Sequence, residues 1–298
     1  MPGRSGGIVF ITALVLSSCT GQRIAMRSLK NDIEKHLSAQ KGTYAVAFKN
    51  LSTGKSLMIN ENVVFHAAST MKTPVLIEVY KQAAEKKFSL YDSMRVKNEF
   101  KSIVDGSSYS LDSADDSEKE LYRRVGEKKT ISELVYNMII VSSNLATNLI
   151  IELVDAKKVT QTMRELGAKD IQVLRGVEDG KAFEKGLNNT TTGYDLLLLF
   201  EKMATGEIIS ASASEAMIKI LLDQRFNEII PAGLPPDVKV AHKTGSITGV
   251  FHDSGIVFLP DGKKYVLVLL SKNVEDEKSS IKAMGAVSTM IYNYVLKK

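Results

Sequence analysis

The sequence predicts a mixed α/β chain of the α+β type: an antiparallel sheet flanked by terminal helices, with an all-helical domain inserted between its strands. Three observations predict it. Alternating apolar segments lie near both ends, at 44–48 and 56–59 and again between 238 and 270. The stretch between them carries apolar residues at helical spacing, as in Leu134, Val135, Met138 and Ile139. A last periodic run, 279–294, predicts a closing helix. Strands at both ends with helices between them place the first and last segments in one discontinuous domain.

At the N-terminus Arg4 precedes an apolar run over 8–16 that is too short to span a bilayer, which takes about 20 residues. It reads as the core of a signal peptide. The run ends Leu16-Ser17-Ser18-Cys19, which looks like a bacterial lipobox. Cys19 is the single cysteine, so an intrachain disulfide is excluded. Cleavage before Cys19 and lipidation of its thiol would make an exported lipoprotein, periplasmic or anchored at the outer membrane. The alternative is a secreted chain with an incidental cysteine.

Residues 26–37 predict a helix, and 44–48 with 56–59 a hairpin around Ser52-Thr53-Gly54. Ser69 opens a helix through Val75, Leu76, Val79 and Tyr80, with Pro74 tolerated in its first turn. The polar, charged stretch 104–129 reads as a loop or short helix. Tyr109 within it either stacks on a substrate or stands exposed. Thr130-Ile131-Ser132-Glu133 is a capping box that starts a helix. A second apolar run over 145–153 follows, so Ser142-Ser143-Asn144 links two buried helices. Strands are expected near 238–242, 255–258 and 265–270, with a Pro260-Asp261-Gly262 turn between the last two. The expected divisions are signal peptide 1–18, lipidated linker 19–25, a discontinuous α/β domain of 26–65 and 206–298, and a helical domain of 66–205.

The 298 residues are ample for a core, and the net charge of +5 comes without the Lys/Arg cluster that nucleic-acid binding would require. His36, His66, His242 and His252 show no metal-ligand spacing; His242 is read as lining or supporting its strand. No cofactor or metal is expected.

Chemistry concentrates in four motifs: Ser69-Thr70-Met71-Lys72, Ser142-Ser143-Asn144, Glu184-Lys185-Gly186-Leu187-Asn188 and Lys243-Thr244-Gly245. Ser-x-x-K recurs from Ser38, Ser52 and Ser279, so spacing alone carries little. At Ser69 the helical context puts Lys72 on the same face as the serine. It also places backbone N–H groups where an oxyanion would develop. A nucleophilic serine beside a lysine, a second hydroxyl, an anion clamp and a spare carboxylate is the equipment for acyl transfer from an amide followed by hydrolysis.

In this order the motifs resemble those of the class A serine β-lactamases, within the penicillin-recognising serine hydrolases. The resemblance runs from about residue 44 to the end of the chain and implies the β-lactamase/transpeptidase-like fold. It implies that Ser69 is the nucleophile and Lys72 its partner. Ser142 and Asn144 fill the first and third positions of S-D-N, and Ser143 replaces the central Asp. A serine there can still cap the following helix. Glu184 and Asn188 match the E-x-x-L-N of the family's Ω-loop, making Glu184 the base for the deacylating water. Lys243 and Thr244 would hold a substrate carboxylate, with Gly245 completing that motif, and Asn144 the side-chain amide. The N–H groups of Ser69 and Ser246 would form the oxyanion site. Either Lys72 or Glu184 acting through a water takes the serine proton. Arg225 either adds charge near the carboxylate or is a surface arginine.

The implied activity is a serine β-lactamase, a monomer with a β-lactam and water as substrates and a membrane contact through lipidated Cys19. A D-alanyl-D-alanine peptidase, or a penicillin sensor that stays acylated, would share Ser69, Lys72, Ser142 and Lys243 and would not need Glu184.

Overall fold

The computed structural model describes residues 10–297, with side chains from residue 24. Residues 1–9 of the expected signal peptide lie outside the described residues, and so does the side chain of Cys19.

The chain opens with α1 (Phe10–Ser38), the strands β1 (Thr43–Asn50) and β2 (Ser56–Ile59), and the short β3 (Phe65–His66). A 3-10 turn, Ala68–Met71, leads into α2 (Lys72–Ala84). The expected helix therefore starts at Lys72 and not at Ser69. Pro74 explains the shift, because it has no N–H to give the Thr70 carbonyl that a helix begun at Ser69 would present to it. Short strands β4 (Ser93–Arg95), β5 (Phe100–Lys101), β6 (Ser108–Tyr109) and β7 (Lys128–Thr130) surround a one-turn α3 (Glu120–Arg123). Helices α4 (Ile131–Ile140), α5 (Asn144–Val154) and α6 (Ala156–Leu166) follow. The capping box forms as read: Glu133 N–H donates to Thr130 Oγ1 at 3.2 Å, and Thr130 N–H to Glu133 Oε2 at 2.8 Å. Next come α7 (Gly180–Glu184), β8 (Thr190–Thr191), α8 (Gly193–Ala204) and α9 (Ala211–Leu222). The chain closes with β9 (Lys239–Ile247), β10 (Val250–Phe258), β11 (Lys264–Lys272) and α10 (Glu277–Leu296).

The five long strands form one antiparallel sheet in the order β2-β1-β11-β10-β9. Residue alternation divides its side chains between two cores. Tyr44, Val46, Phe48, Tyr265, Leu267 and Leu269 face α1 and α10. Ala45, Ala47, Ala241, Val266, Val268 and Leu270 face the helices of the middle of the chain. Helix α8 lies on this second face, where the small Ala47 side chain leaves room for Gly193. That face and the helical region thus share one continuous core. Lys243, two residues after Ala241, points to the same side.

This is the mixed α/β architecture expected, a central antiparallel sheet flanked by helices with an inserted helical subdomain. Among the described residues no helix is long and apolar enough to cross a membrane.

Candidate active site

The nucleophile candidate sits where β9, the 3-10 turn and the α4–α5 link converge. Ala68, with φ of 44°, turns the chain sharply after β3. Ala68 N–H donates to His66 Nδ1 at 3.0 Å, and Thr70 Oγ1 donates to the Ala67 carbonyl at 2.6 Å, closing the turn around Ser69. Burial pushes the His252 pKa down to about 4, so its ring is neutral. It accepts from Ser271 N–H at 3.2 Å on Nδ1 and donates from Nε2 to the His66 carbonyl at 2.8 Å, tying the sheet to the strand before the turn. His242 supports β9 as read: its ring meets Asp253 Oδ1 at 2.8 Å and Asn227 Oδ1 at 3.1 Å, with both His242 and Asp253 buried.

Gly245 is required by close approach. A Cβ there would lie 2.9 Å from the backbone nitrogens of both Ser69 and Thr70. Only glycine lets β9 lie flush against the turn.

Around Ser69 the polar side chains form a continuous chain of hydrogen bonds. Lys243 Nζ donates to Ser142 Oγ at 3.0 Å, and Lys72 Nζ donates to the same oxygen at 3.1 Å. Lys72 also donates to the Ser142 carbonyl at 2.6 Å and to Asn144 Oδ1 at 2.9 Å. Asn144 Nδ2 then donates to Glu178 Oε1 at 2.7 Å. Both lysines are fully buried. Burial first of all lowers the Lys72 pKa, to about 7, against the opposing pull of Asp116 and Glu178. Burial, and then the neighbouring Lys72, hold Lys243 well below the ordinary lysine range. Glu178 is pushed up, again mainly by burial, and further by Asp116 and Asp115.

Glu178 belongs to a looped segment whose neck is closed by Arg175 and Asn189. The Asn189 side chain accepts from Leu174 N–H at 2.8 Å and Arg175 N–H at 3.2 Å and donates to the Arg175 carbonyl at 3.0 Å. Leaving such buried groups unpaired costs about 1–3 kcal/mol each. The Arg175 guanidinium spans the base of the loop, donating to the Leu187 carbonyl at 2.9 Å and to Asn188 Oδ1 at 3.3 Å. Asp179, buried, caps α7 and accepts from Ser102 Oγ and Ile103 N–H, both at 2.9 Å. Glu178 itself takes a φ of 62°, a strained value for a residue with a Cβ. Tyr109 neither stands exposed nor faces solvent as a platform: it is half-buried against Phe100, and its hydroxyl donates to the Val177 carbonyl at 3.3 Å.

Two cavities meet at Ser69. One, of about 480 Å³, is walled by Ser142, Thr244, Gly245, Ser246 and Phe226; the other, of about 390 Å³, by Asn144, Glu178, Phe183, Ser246 and Ile247.

The structure thus brings together Ser69, Lys72, Ser142, Asn144, Lys243, Thr244, Gly245 and Ser246. It does not bring Glu184 or Arg225 to this cluster. Glu184 ends α7, is exposed and lines neither cavity, because α7 carries it beyond the buried part of the loop. Asn188 faces Arg175 and His66. Arg225 is exposed and joins the fold through its N–H to the Ile140 carbonyl at 3.0 Å. Sequence reading missed Glu178, Arg175, Asn189 and Asp116 as parts of the site. The Arg175-Gly176-Val177-Glu178 stretch ahead of Asp179 offered only an acidic pair with no distinguishing period.

The sequence model of the Beta-lactamase enzyme family matches residues 28–295. The chain belongs to this family. Among curated relatives it is 24% identical to a β-lactamase of Bacteroides uniformis, over 95% of this chain and 98% of that one. It is 22% identical to the extended-spectrum β-lactamase PER-1 of Pseudomonas aeruginosa, over 98% and 96%. Among solved structures, PBP-A is 29% identical with a TM-score of 0.78, covering 91% of this chain and 97% of its own. A mutant of PBP-A has been solved as an acyl-enzyme complex with penicillin G, and matches at 30% identity and a TM-score of 0.77. A β-lactamase from Sphaerobacter thermophilus matches at 26% and 0.74, over 93% and 98%. The family member described here has the fold of the penicillin-recognising serine hydrolases, with their acyl-enzyme chemistry.

Proposed function

We propose that this family member is a serine β-lactamase of class A type, in which Ser69 is acylated by the β-lactam and Glu178, not Glu184, drives hydrolysis of the acyl-enzyme. The observation that carries this reading is the Asn144 bridge, which joins Lys72 at 2.9 Å to the solvent-accessible Glu178 carboxylate on the wall of the Ser69 cavity. A peptidase or a sensor that stays acylated has no use for such a carboxylate.

In acylation neutral Lys72 takes the Ser69 proton as Oγ bonds to the lactam carbonyl carbon. The oxyanion forms against the backbone N–H groups of Ser69 and Ser246. When the C–N bond breaks, the nitrogen takes a proton from Ser142, which Lys72 resupplies across 3.1 Å. Lys243 and Thr244 hold the substrate carboxylate in the larger cavity, beside Gly245, and Asn144 holds the side-chain amide. In deacylation Glu178 removes a proton from water as the water oxygen bonds to the acyl carbon; the acyl C–O bond to Ser69 then breaks, and the Ser69 oxygen takes up the proton that Glu178 gives back. Positioned general-base help is worth about 10²–10⁴-fold. Glu184, Asn188 and Arg225 then act at a distance from the reacting atoms, Asn188 through the Arg175 neck.

The reading extends to the chain's N-terminus. The lipobox-like Leu16-Ser17-Ser18-Cys19 supports an exported lipoprotein held at the periplasmic or outer-membrane face by lipid on Cys19.

Purified protein mixed with a chromogenic cephalosporin should give many turnovers per molecule, and Ser69→Ala none, with loss of covalent labelling by a fluorescent penicillin. A single stoichiometric burst from the wild type would point to the sensor. Efficient D-alanine release from a cell-wall peptide without lactam turnover would point to the peptidase.

A further inference from the structure

The S-x-N segment has Ser143 where the S-D-N pattern has Asp, yet the first turn of α5 is not without a carboxylate. Asp116 supplies it from the segment that precedes α3. It is 3% exposed. Its Oδ2 accepts from the N–H groups of Asn144 at 2.8 Å and Leu145 at 3.0 Å and from the Tyr122 hydroxyl at 2.9 Å. Its Oδ1 accepts from Glu118 N–H at 3.0 Å. Ser143 Oγ takes only Ala146 N–H, at 3.3 Å, and Ser143 N–H donates to the Asn137 carbonyl at 3.1 Å. A serine at the N-cap therefore satisfies one donor, and the remote carboxylate satisfies the two beside it.

We propose that Asp116 is a positioning residue that replaces the missing motif aspartate from outside the motif, fixing the Ser142–Asn144 turn on which the Lys72 and Glu178 contacts depend. The inference rests on the acyl-transfer reading of the site. Ser142 holds a φ of 57°, a conformation that a residue with a Cβ keeps only when its surroundings over-determine it. The next residue but one, Asn144, carries the bridge between Lys72 and Glu178. Small displacements of such groups have large kinetic consequences. An anion at a helix N-terminus also meets the positive end of the helix dipole, which a serine answers only in part.

Asp116 acts through charge as well as geometry. Lys72 faces Asp116, Glu178 and Lys243; Glu178 faces Asp116, Asp115 and Lys72. The Asp116 charge favours protonated Lys72 and protonated Glu178, so removing it moves both titrations to lower pH. Loss of packing alone would move neither.

The test compares Asp116→Asn with the double variant Asp116→Asn/Ser143→Asp in the full chain, reading the rate of labelling by a fluorescent penicillin against pH. Asp116→Asn should be folded by near-UV circular dichroism, acylate about tenfold more slowly or worse, and show its acid limb at lower pH. Returning a carboxylate at position 143 should bring the rate back to within about threefold of the wild type, a coupling between the two sites that independent roles would not give. A folded Asp116→Asn with wild-type rate and limb overturns the proposal, as does a double variant no faster than the single. If Asp116→Asn does not fold, the double variant decides: folded and reactive supports the exchange, unfolded or inert refutes it. A wild type unlabelled at Ser69 would instead refute the underlying acyl-transfer reading, and shows itself before any Asp116 variant is made.

Discussion

Lys72 and Lys243 share one acceptor, the Ser142 hydroxyl, and neither has a carboxylate in direct contact. Two buried ammonium groups that close cannot both stay charged at low cost, and burial removes the water that would screen them. With its pKa near 7, Lys72 is protonated and unable to take a proton below that pH, and free to do so above it. The acylation rate should therefore rise about tenfold per pH unit on the acid side and level off above about 7. Stopped-flow acylation of the wild type and of Glu178→Gln checks this. The limb should persist in the variant; a limb that disappears with Glu178 assigns the proton to the carboxylate through water. Ser69, Lys72, Ser142 and Lys243 were legible because they stand in short motifs whose order along the chain is that of the family; for Ser69 and Lys72 alone helical spacing also placed both on one face. Glu178 was not, since E-x-x-L-N spacing selects Glu184 and cannot report that α7 intervenes between the carboxylate that lines the Ser69 cavity and Leu187. Asp116 was hidden for another reason: its partners lie on a helix beyond α4, and no local pattern encodes that contact.

At the scale of elements, strand period decides the site as much as motif does. Lys-Thr-Gly lies inside β9, so Ala241 packs on the helices and Lys243 projects from the same face toward Ser142. The hairpin β1–β2, the three C-terminal strands, the Thr130 capping box and the closing helix could all be read from alternation and turn residues. The strands extend further than read, because β9, β10 and β11 are nine residues long each and carry polar residues in register. The 3-10 turn at Ser69 was not legible as such, although Pro74 held the clue. Nor was the neck of the Glu178 loop, since Arg175 and Asn189 meet only after the segment between them has closed.

Across the whole molecule, one sheet with a core on each face sets the β9 edge against the helices, and the cleft opens at that edge. In the proposed mechanism the first half of the reaction would draw on the sheet and on α2, and the second half on the loop tied down by Arg175, Asn189 and Asp179. The proposed lipid anchor is tested separately from the chemistry. Cys19→Ser should abolish incorporation of a fatty-acid analogue in metabolic labelling; equal label in variant and wild type would rule out the lipoprotein. The central claim is that the Glu178 carboxylate separates hydrolysis from acylation. It is tested most directly by intact-mass spectrometry of Glu178→Gln and Glu184→Gln over a time course with penicillin. A persistent penicilloyl adduct is expected on Glu178→Gln, with turnover down by about two to four orders of magnitude, while Glu184→Gln clears its adduct as the wild type does. Undiminished turnover in Glu178→Gln, or a trapped adduct in Glu184→Gln alone, would contradict it.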